Sequence, residues 1–463
     1  MITSPVFAGQ RYAVLGLARS GQTAVASLVA SGAEVVAWDA REDPRQAVTH
    51  AHGARVELAD PLTIDLAGFA GIVVSPGVPI NRHPIAEAAA AAHVPLICDI
   101  ELFALARPSL PTHRVVGITG TNGKSTTTAL VHHLLESAGV PVRMGGNIGL
   151  PVLGQEPMTP NTNGSGVYVL ELSSYQIDLT HHLDCDVAAL LNITPDHLDR
   201  YEGFAAYAAS KARLFAMQGE DQIAIFGLGG AETAAIAAGE RARRPLGKVC
   251  EARGERLIKL QKHWPSLQGP HNLQNAATAV AIVEALGLSE VQWRQAMASF
   301  RGLPHRMERV AEADGVLYIN DSKATNPAST APALAAFKPA GGKKGLKPRI
   351  HWIVGGLPKS DDLDECTPYF ANIAAAYTIG DAGPRFAEIL SPHMPVTRSE
   401  MLPEAVRQAM EAAKPGDVVM LSPACASFDQ FRDYEIRGDN FRQIVAALIE
   451  DRAAAQAASR EAR

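Results

Sequence analysis

The sequence predicts an α/β protein built from parallel sheets with helices on their faces. Three observations carry this expectation. Short apolar runs alternate with helical stretches near the N-terminus. An apolar run at Val115 and Val116 feeds a glycine-rich loop and then an amphipathic stretch from Ala129 to Leu135. Apolar runs in the last third end in dense polar strings. Alternation of this β-α-β kind builds parallel sheets. A length of 463 residues leaves room for about three such domains.

The first strand is expected over 12–17, Tyr-Ala-Val-Leu-Gly-Leu, followed by Ser20, Gly21 and a helix to about Ser31. Glu34–Trp38 forms a second strand closed by Asp39, and Ile72–Val74 another that runs into Ser75-Pro76-Gly77. An acid closing the second strand is where a doubly wound sheet holds a ribose hydroxyl. The turn here is Gly16-Leu-Ala-Arg-Ser-Gly21 rather than GxGxxG. Dinucleotide, nucleotide or nucleotide-sugar binding and a plain βα turn therefore all stay open at this stretch.

A linker with two prolines, at 106–113, closes this unit. The next opens on Gly117-Ile-Thr-Gly-Thr-Asn-Gly-Lys-Ser-Thr126. In a strand–loop–helix of this kind, backbone N–H groups turn toward phosphate oxygens and the helix N-terminus adds partial positive charge. Lys124 adds a full charge, and Ser125 offers its hydroxyl to Mg²⁺. The usual pattern asks for glycine where this chain has Ile118, so the loop is a variant. Val167–Leu172 carries Glu171 at its end, a metal-ligand position downstream of a phosphate loop. Ala188–Ile193 leads to Thr194-Pro-Asp-His-Leu-Asp-Arg-Tyr201. His197 could ligate a metal, bond a phosphate, or sit structurally behind a capping Asp196. Lys211 reads as a solvated helix charge. Asn272 and Asn275, one helical turn apart, could face a ligand or act as caps.

A second break falls at 300–304. Just beyond it, Arg306 is placed to reach a phosphate across a cleft. Strands are expected at Val316–Ile319, His351–Val354 and Asp417–Leu421. They end in Asn320-Asp-Ser-Lys-Ala-Thr-Asn326, Gly355-Gly-Leu-Pro-Lys-Ser-Asp361 and Leu421-Ser-Pro-Ala-Cys-Ala-Ser-Phe-Asp-Gln-Phe431. All three strings fall at the edge where open α/β sheets bind ligands. Cys425 has no evident partner histidine, which disfavours a nucleophilic role. Residues 341–348 read as an exposed loop, and 451–463 as a fraying helical tail.

Bulk composition excludes more than it identifies. A net charge of −6 gives no electrostatic case for nucleic acid or anionic membrane. The five cysteines are scattered, without CxxC, which suits free thiols in a reducing compartment. The N-terminal residues lack a signal-peptide pattern, and no apolar run is long enough to span a bilayer. A cytoplasmic protein is expected.

Taken together, the strings resemble the Mur ligases, the ATP-dependent amide-bond-forming enzymes of peptidoglycan synthesis, over nearly the whole chain. The loop 119–126 is shared across that superfamily, folylpolyglutamate synthases included. The strings at 320–326 and 421–431 are similar to those of its D-glutamate-adding branch. The resemblance implies three domains. A Rossmann-like domain at 1–108 would bind the uridine of UDP-N-acetylmuramoyl-L-alanine. A P-loop-type ATPase domain at 109–303 would follow, then a Rossmann-like domain at 304–463 that binds D-glutamate and closes over the cleft. It also implies ATP, two Mg²⁺ ions, a carbamylated Lys211, a monomer, and neither nucleic-acid nor membrane partners.

Carried over position by position, the resemblance assigns Gly16, Leu17, Asp39, Gly77, Asn147 and His197 to the UDP-substrate. Gly120, Thr121, Asn122, Gly123, Lys124, Ser125, Thr126, Asn275, Arg306 and Asp321 go to ATP. Thr325, Lys359, Ser427 and Phe428 surround D-glutamate. Ser125, Glu171, His197 and Lys211 hold metal, and Lys124, His197 and Lys211 carry the chemistry. Two departures stand out: Tyr434 replaces a usual phenylalanine, and the loop 341–348 is longer than typical. The same mechanism with another amino acid, such as L-glutamate, is the alternative.

Overall fold

The computed structural model describes residues 1–159, 166–196, 200–342 and 345–461. The first sheet comprises β1 (Arg11–Leu15), β2 (Glu34–Trp38), β3 (Val56–Leu58), β4 (Gly71–Val74) and β5 (Leu96–Ile97), in the order β3-β2-β1-β4-β5. Every pairing in it is parallel. Chain order reverses at β1, so a crevice lies beyond its C-terminal end. β1 stops at Leu15, two residues before the expected end, which leaves Gly16 and Leu17 in that turn.

The second sheet holds β6 (His113–Thr119), β7 (Val142–Gly146), β8 (Gly166–Glu171), β9 (Val187–Leu190), β10 (Ile223–Gly227) and β11 (Val249–Ala252), ordered β11-β10-β9-β6-β8-β7 and again all parallel. Every residue of β8 and β9 is buried. That pattern is why these strands read as unbroken apolar runs rather than alternating ones. The glycine-rich loop leaves the end of β6, between β9 and β8.

The third sheet contains β12 (Glu308–Ala313) and β13 (Val316–Asn320). A separate ribbon of β14 (Ala340–Gly342) and β15 (Gly345–Lys347) comes next in the chain. β16 (Ile350–Gly355), β17 (Ile373–Ile379), β18 (Val396–Glu400) and β19 (Val418–Leu421) complete the sheet, in the order β12-β13-β19-β16-β17-β18. Only the β12–β13 pairing in it is antiparallel. Alternate residues serve opposite faces. Ile319, Trp352 and Met420 join one core, and Tyr318, Ile353 and Leu421 another. β13, β19 and β16 are neighbours, so the three polar strings emerge side by side.

One expectation changes. The segment 341–348 is not a plain loop, because Ala340–Gly342 pairs antiparallel with Gly345–Lys347. The C-terminal tail is helical as expected, and it forms the end of one helix, Tyr434–Glu461. Contacts divide the chain into two compact units: Met1–Arg256 with Gln274–Met297, and Leu257–Leu273 with Ala298–Arg463. The first two sheets share the first unit, and the third sheet lies in the second. Among the described residues, no helix is long and apolar enough to cross a membrane.

Candidate active site

The loop after β6 is fixed by its own chemistry before any ligand is considered. Gly123 caps the helix Lys124–Ser137 in a left-handed conformation, φ 86°. A Cβ there would fall 2.2 Å from Asn275 Oδ1, so glycine is required twice over, by backbone and by space. Asn192, just past β9, exchanges two hydrogen bonds with the main chain of Asn122: its Oδ1 accepts from Asn122 N at 2.9 Å and its Nδ2 donates to Asn122 O at 3.0 Å. The Thr121 hydroxyl lies 3.2 Å from the Tyr207 hydroxyl and accepts from Thr194 N at 3.0 Å. Gly120, Thr121, Asn122 and Gly123 are thus held in one shape above β6. Lys124, Ser125 and Thr126 begin the helix whose N-terminus faces them.

Two lysines converge on one carbonyl. Lys124 Nζ donates to Gly120 O at 2.9 Å and to Thr121 O at 2.8 Å, and Lys211 Nζ donates to Gly120 O at 3.0 Å. Lys211 lies on the helix Phe204–Ala216 and is only 1% exposed, with its Nζ 4.6 Å from the centre of the Tyr207 ring. Its expected solvated position is therefore corrected to a buried one. Burial first, and then the charge of Lys124, lower its amine from the ordinary 10.5 to about 7. A good share of it is unprotonated at neutral pH.

At the end of β8 the Ser125 hydroxyl donates to Glu171 Oε2 at 2.5 Å, and Asn147 Nδ2 donates to Oε1 at 3.2 Å. Glu171 is 2% exposed. A hydroxyl and a buried carboxylate meeting beside a phosphate loop form a hard-oxygen donor set, which fits Mg²⁺. His197 lies outside the described residues. Asn275 belongs with the loop, against Gly123. Asn272 instead donates to Gln268 O at 3.1 Å, in the manner of a local backbone cap.

Above the first sheet, Asp39 accepts from Leu17 N at 2.8 Å and from Arg41 N at 2.9 Å. Burial alone would raise this carboxyl. The two amides and the Arg41 guanidinium outweigh it and hold the group below its usual range. Ser75 Oγ donates to Gly16 O at 2.7 Å, which ties the β1 turn to the loop carrying Gly77. Asp39→Asn exchanges one acceptor for a donor facing an amide. The loss of a charge-assisted hydrogen bond that fixes the β1 turn should destabilise the fold by about 1–2 kcal/mol. Urea unfolding would read it.

In the second unit, two of the three strand ends are drawn together by a residue the sequence did not single out, and the third joins them through backbone pairing. Arg437 is 1% exposed. Its Nη2 donates to Ser322 O at 2.8 Å and Cys425 O at 3.0 Å, its Nη1 to Ala426 O at 3.1 Å, and its Nε to Ser322 Oγ at 3.0 Å. Gly356, with φ 132°, lies against this assembly, and a Cβ there would meet Ala426 O at 2.4 Å. Leu357 and Ala426 exchange backbone hydrogen bonds of 3.0 and 2.9 Å. Only the fold brings Arg437 here from a helix.

Asp321 accepts from Ser422 Oγ at 2.7 Å and Met307 N at 3.1 Å. Burial pushes its carboxyl up to about 7, against those two donors and the charge of Arg306. Arg306 is flanked by His305 and Met307, non-glycine residues at φ 60° and 47°. Such strained backbone gathers at functional sites. Lys323 Nζ sits 3.7 Å from the centre of the Tyr434 ring. The ring face does this work, so tyrosine and phenylalanine would serve equally here. Ser427 is buried and Thr325 half-buried, whereas Lys359 and Phe428 stand exposed. Burial pushes the Cys425 thiol up to about 12, so it is no nucleophile at neutral pH.

Comparison with known proteins agrees with this organisation. Three family models match, one for each sheet: "Mur ligase MurD-like, N-terminal domain" over residues 10–98, "Mur ligase middle domain" over 118–243, and "Mur ligase, glutamate ligase domain" over 305–425. The chain is 69% identical over 454 residues to the UDP-N-acetylmuramoylalanine--D-glutamate ligase of Novosphingobium aromaticivorans, covering 98% of both chains. It is 58% identical over 448 residues to the protein of the same name from Sphingopyxis alaskensis, covering 97% of this chain and 100% of that one. Among solved structures, the MurF ligase of Thermotoga maritima in complex with ADP superposes with a TM-score of 0.59 at 16% identity, covering 96% of each chain. At that identity the likeness speaks for the fold alone.

Proposed function

The chain belongs to the Mur ligase family, and on that premise we propose that it joins D-glutamate to UDP-N-acetylmuramoyl-L-alanine with hydrolysis of ATP to ADP and phosphate. The full-length similarity to relatives bearing that name carries the reading. The cation-rich phosphate loop beside a buried Ser125–Glu171 pair supports it.

A carboxylate cannot expel oxide, so it must be activated first. The L-alanyl carboxylate oxygen attacks the γ-phosphorus of ATP. The bond to the bridging oxygen breaks and ADP leaves. The free amine of D-glutamate then attacks the acyl carbon, the carbon–oxygen bond to phosphate breaks, and the nitrogen loses a proton. Anions meet in the first step, so fixed positive charge is the main requirement. Lys124 and the loop amides from Gly120 to Thr126 supply it, and Asn275, Arg306 and Asp321 are assigned to the nucleotide. Gly16, Leu17, Asp39, Gly77 and Asn147 hold the UDP-substrate. Thr325, Lys359, Ser427 and Phe428 receive D-glutamate.

Ser125 and Glu171, with His197 and Lys211, would hold Mg²⁺. The metal would neutralise phosphate charge there. The neutral Lys211 amine adds to the carbon of CO₂ and loses a proton, which turns a buried cation site into an anionic one suited to that metal. A cytoplasmic location and a monomeric enzyme belong to the same reading.

The test is phosphate release from ATP with UDP-N-acetylmuramoyl-L-alanine and D-glutamate, L-glutamate or no amino acid. Release with D-glutamate alone, matched by amide product, is expected. Release with L-glutamate would move the specificity and keep the mechanism. Folded protein with no amino-acid-dependent release would overturn the ligase reading.

A further inference from the structure

A pocket of about 200 Å³ opens in the first unit, lined on one side by Ser75, Pro76 and Ile80 and on the other by Tyr175, Arg200 and Tyr201. The Arg200 guanidinium lies 4.7 Å from the centre of the Tyr175 ring. That ring stacks almost parallel to Tyr201, at 6.1 Å and 8°. The Tyr201 hydroxyl is fixed in turn by donating to Asp178 Oδ2 at 2.8 Å. From this seat Arg200 donates to Val78 O at 3.2 Å and, more loosely, to Gly77 O at 3.5 Å. An arginine carried by the segment after β9 thus grips two successive carbonyls of the loop after β4. The start of that loop is pinned separately, through Ser75 N to Leu15 O at 3.0 Å and Ser75 Oγ to Gly16 O at 2.7 Å. Gly77 is presented between the two anchors.

We infer that Arg200 is a positioning residue: seated on Tyr175, it latches the Ser75–Asn81 loop of the first sheet to the central sheet and so sets affinity for the UDP-linked substrate. The inference rests on the assignment of Gly16, Leu17, Asp39 and Gly77 to that substrate. A guanidinium suits the task because its planar fork spans neighbouring carbonyls while its face stays on the aromatic ring. The phosphate loop has separate anchors in Asn192, Thr194 and Tyr207. The latch should therefore act on one substrate and spare the others.

Arg200→Gln is expected to raise both KM and the calorimetric Kd for UDP-N-acetylmuramoyl-L-alanine by about tenfold. KM for ATP and for D-glutamate, and kcat, should stay within about twofold. Arg200→Lys keeps the cation on the ring but loses the fork, and should fall between. Tyr175→Leu, which removes the ring face under the guanidinium, should resemble Arg200→Gln. The pair Arg200→Gln/Tyr175→Leu should be no worse than either alone, as two parts of one device. Thermal unfolding confirms that each variant folds. An unchanged Kd in folded Arg200→Gln overturns the latch. So does a fall in kcat with every KM unchanged, or additivity of the two substitutions. Wild-type protein that makes no amide while binding the UDP-substrate overturns the reaction assigned above and leaves the latch to be judged by Kd.

Discussion

Lys211→Ala should lower the rate of amide formation by about 10³-fold or more, while ATP affinity changes by no more than about threefold. The amine contacts the outside of the phosphate loop through Gly120 O, and Lys124 and the loop amides remain in place to bind the triphosphate. What is lost is the nitrogen that can take up CO₂. That uptake needs the unprotonated amine, and the amine is lowered to about 7. Activity at constant dissolved CO₂ should therefore fall as pH drops through about 7. Labelled bicarbonate should give a carbamate carbon signal in wild-type protein that is absent from Lys211→Ala. A wild-type spectrum without that signal would refute the modification.

Stability gives an independent check, with a definite sign. The folded amine titrates at about 7 and the ordinary value is 10.5, so between those limits the unfolded chain binds the extra proton. This group's contribution to stability then rises with pH across that window and is at its worst below it. Lys211→Met removes the desolvated cation, and should melt higher than wild type at pH 6 with little difference above pH 10.

Arg437→Ala is expected to destabilise the second unit by about 3–5 kcal/mol, measured by urea unfolding. The substitution strands three buried carbonyls, of Ser322, Cys425 and Ala426. Burial lowers the guanidinium to about 10, which still leaves it charged at neutral pH. Arg437→Lys keeps a charge but cannot fork to the same acceptors, and should recover less than half of the loss. Variants that remain folded should show a raised KM for D-glutamate. An Arg437→Ala protein as stable as wild type would show that the strings at 320–326 and 421–431 hold together without it.

Local rules made part of this legible in the sequence. Buried parallel strands appear as unbroken apolar runs, and Glu34–Trp38 was read to the residue. The phosphate loop was legible because glycine, lysine and hydroxyl must follow one another in the chain. The three polar strings were placed on one edge because the ends of parallel strands share an edge. What could not be read depends on contacts between distant segments. Lys211 looked like any helix lysine until the fold buried it under Tyr207 and beside Lys124. Arg437 and Arg200 act on main-chain carbonyls, and a carbonyl has no sequence signature. The β14–β15 ribbon was missed because Gly-Gly-Lys-Lys-Gly lacks the β-branched and aromatic residues that mark strands.

The manner in which Arg437 holds its partners also separates scaffold from specificity. All but one of its bonds go to the main chain, and the exception is the Ser322 hydroxyl. On the assignment proposed above, in which Thr325, Ser427 and Phe428 receive the acceptor amino acid, these side chains can be exchanged without removing the frame that displays them. Over evolutionary time such a frame lets a lineage explore new acceptor amino acids by point substitution while its backbone stays constant. An engineer seeking a different acceptor would randomise those three positions and leave Arg437 untouched.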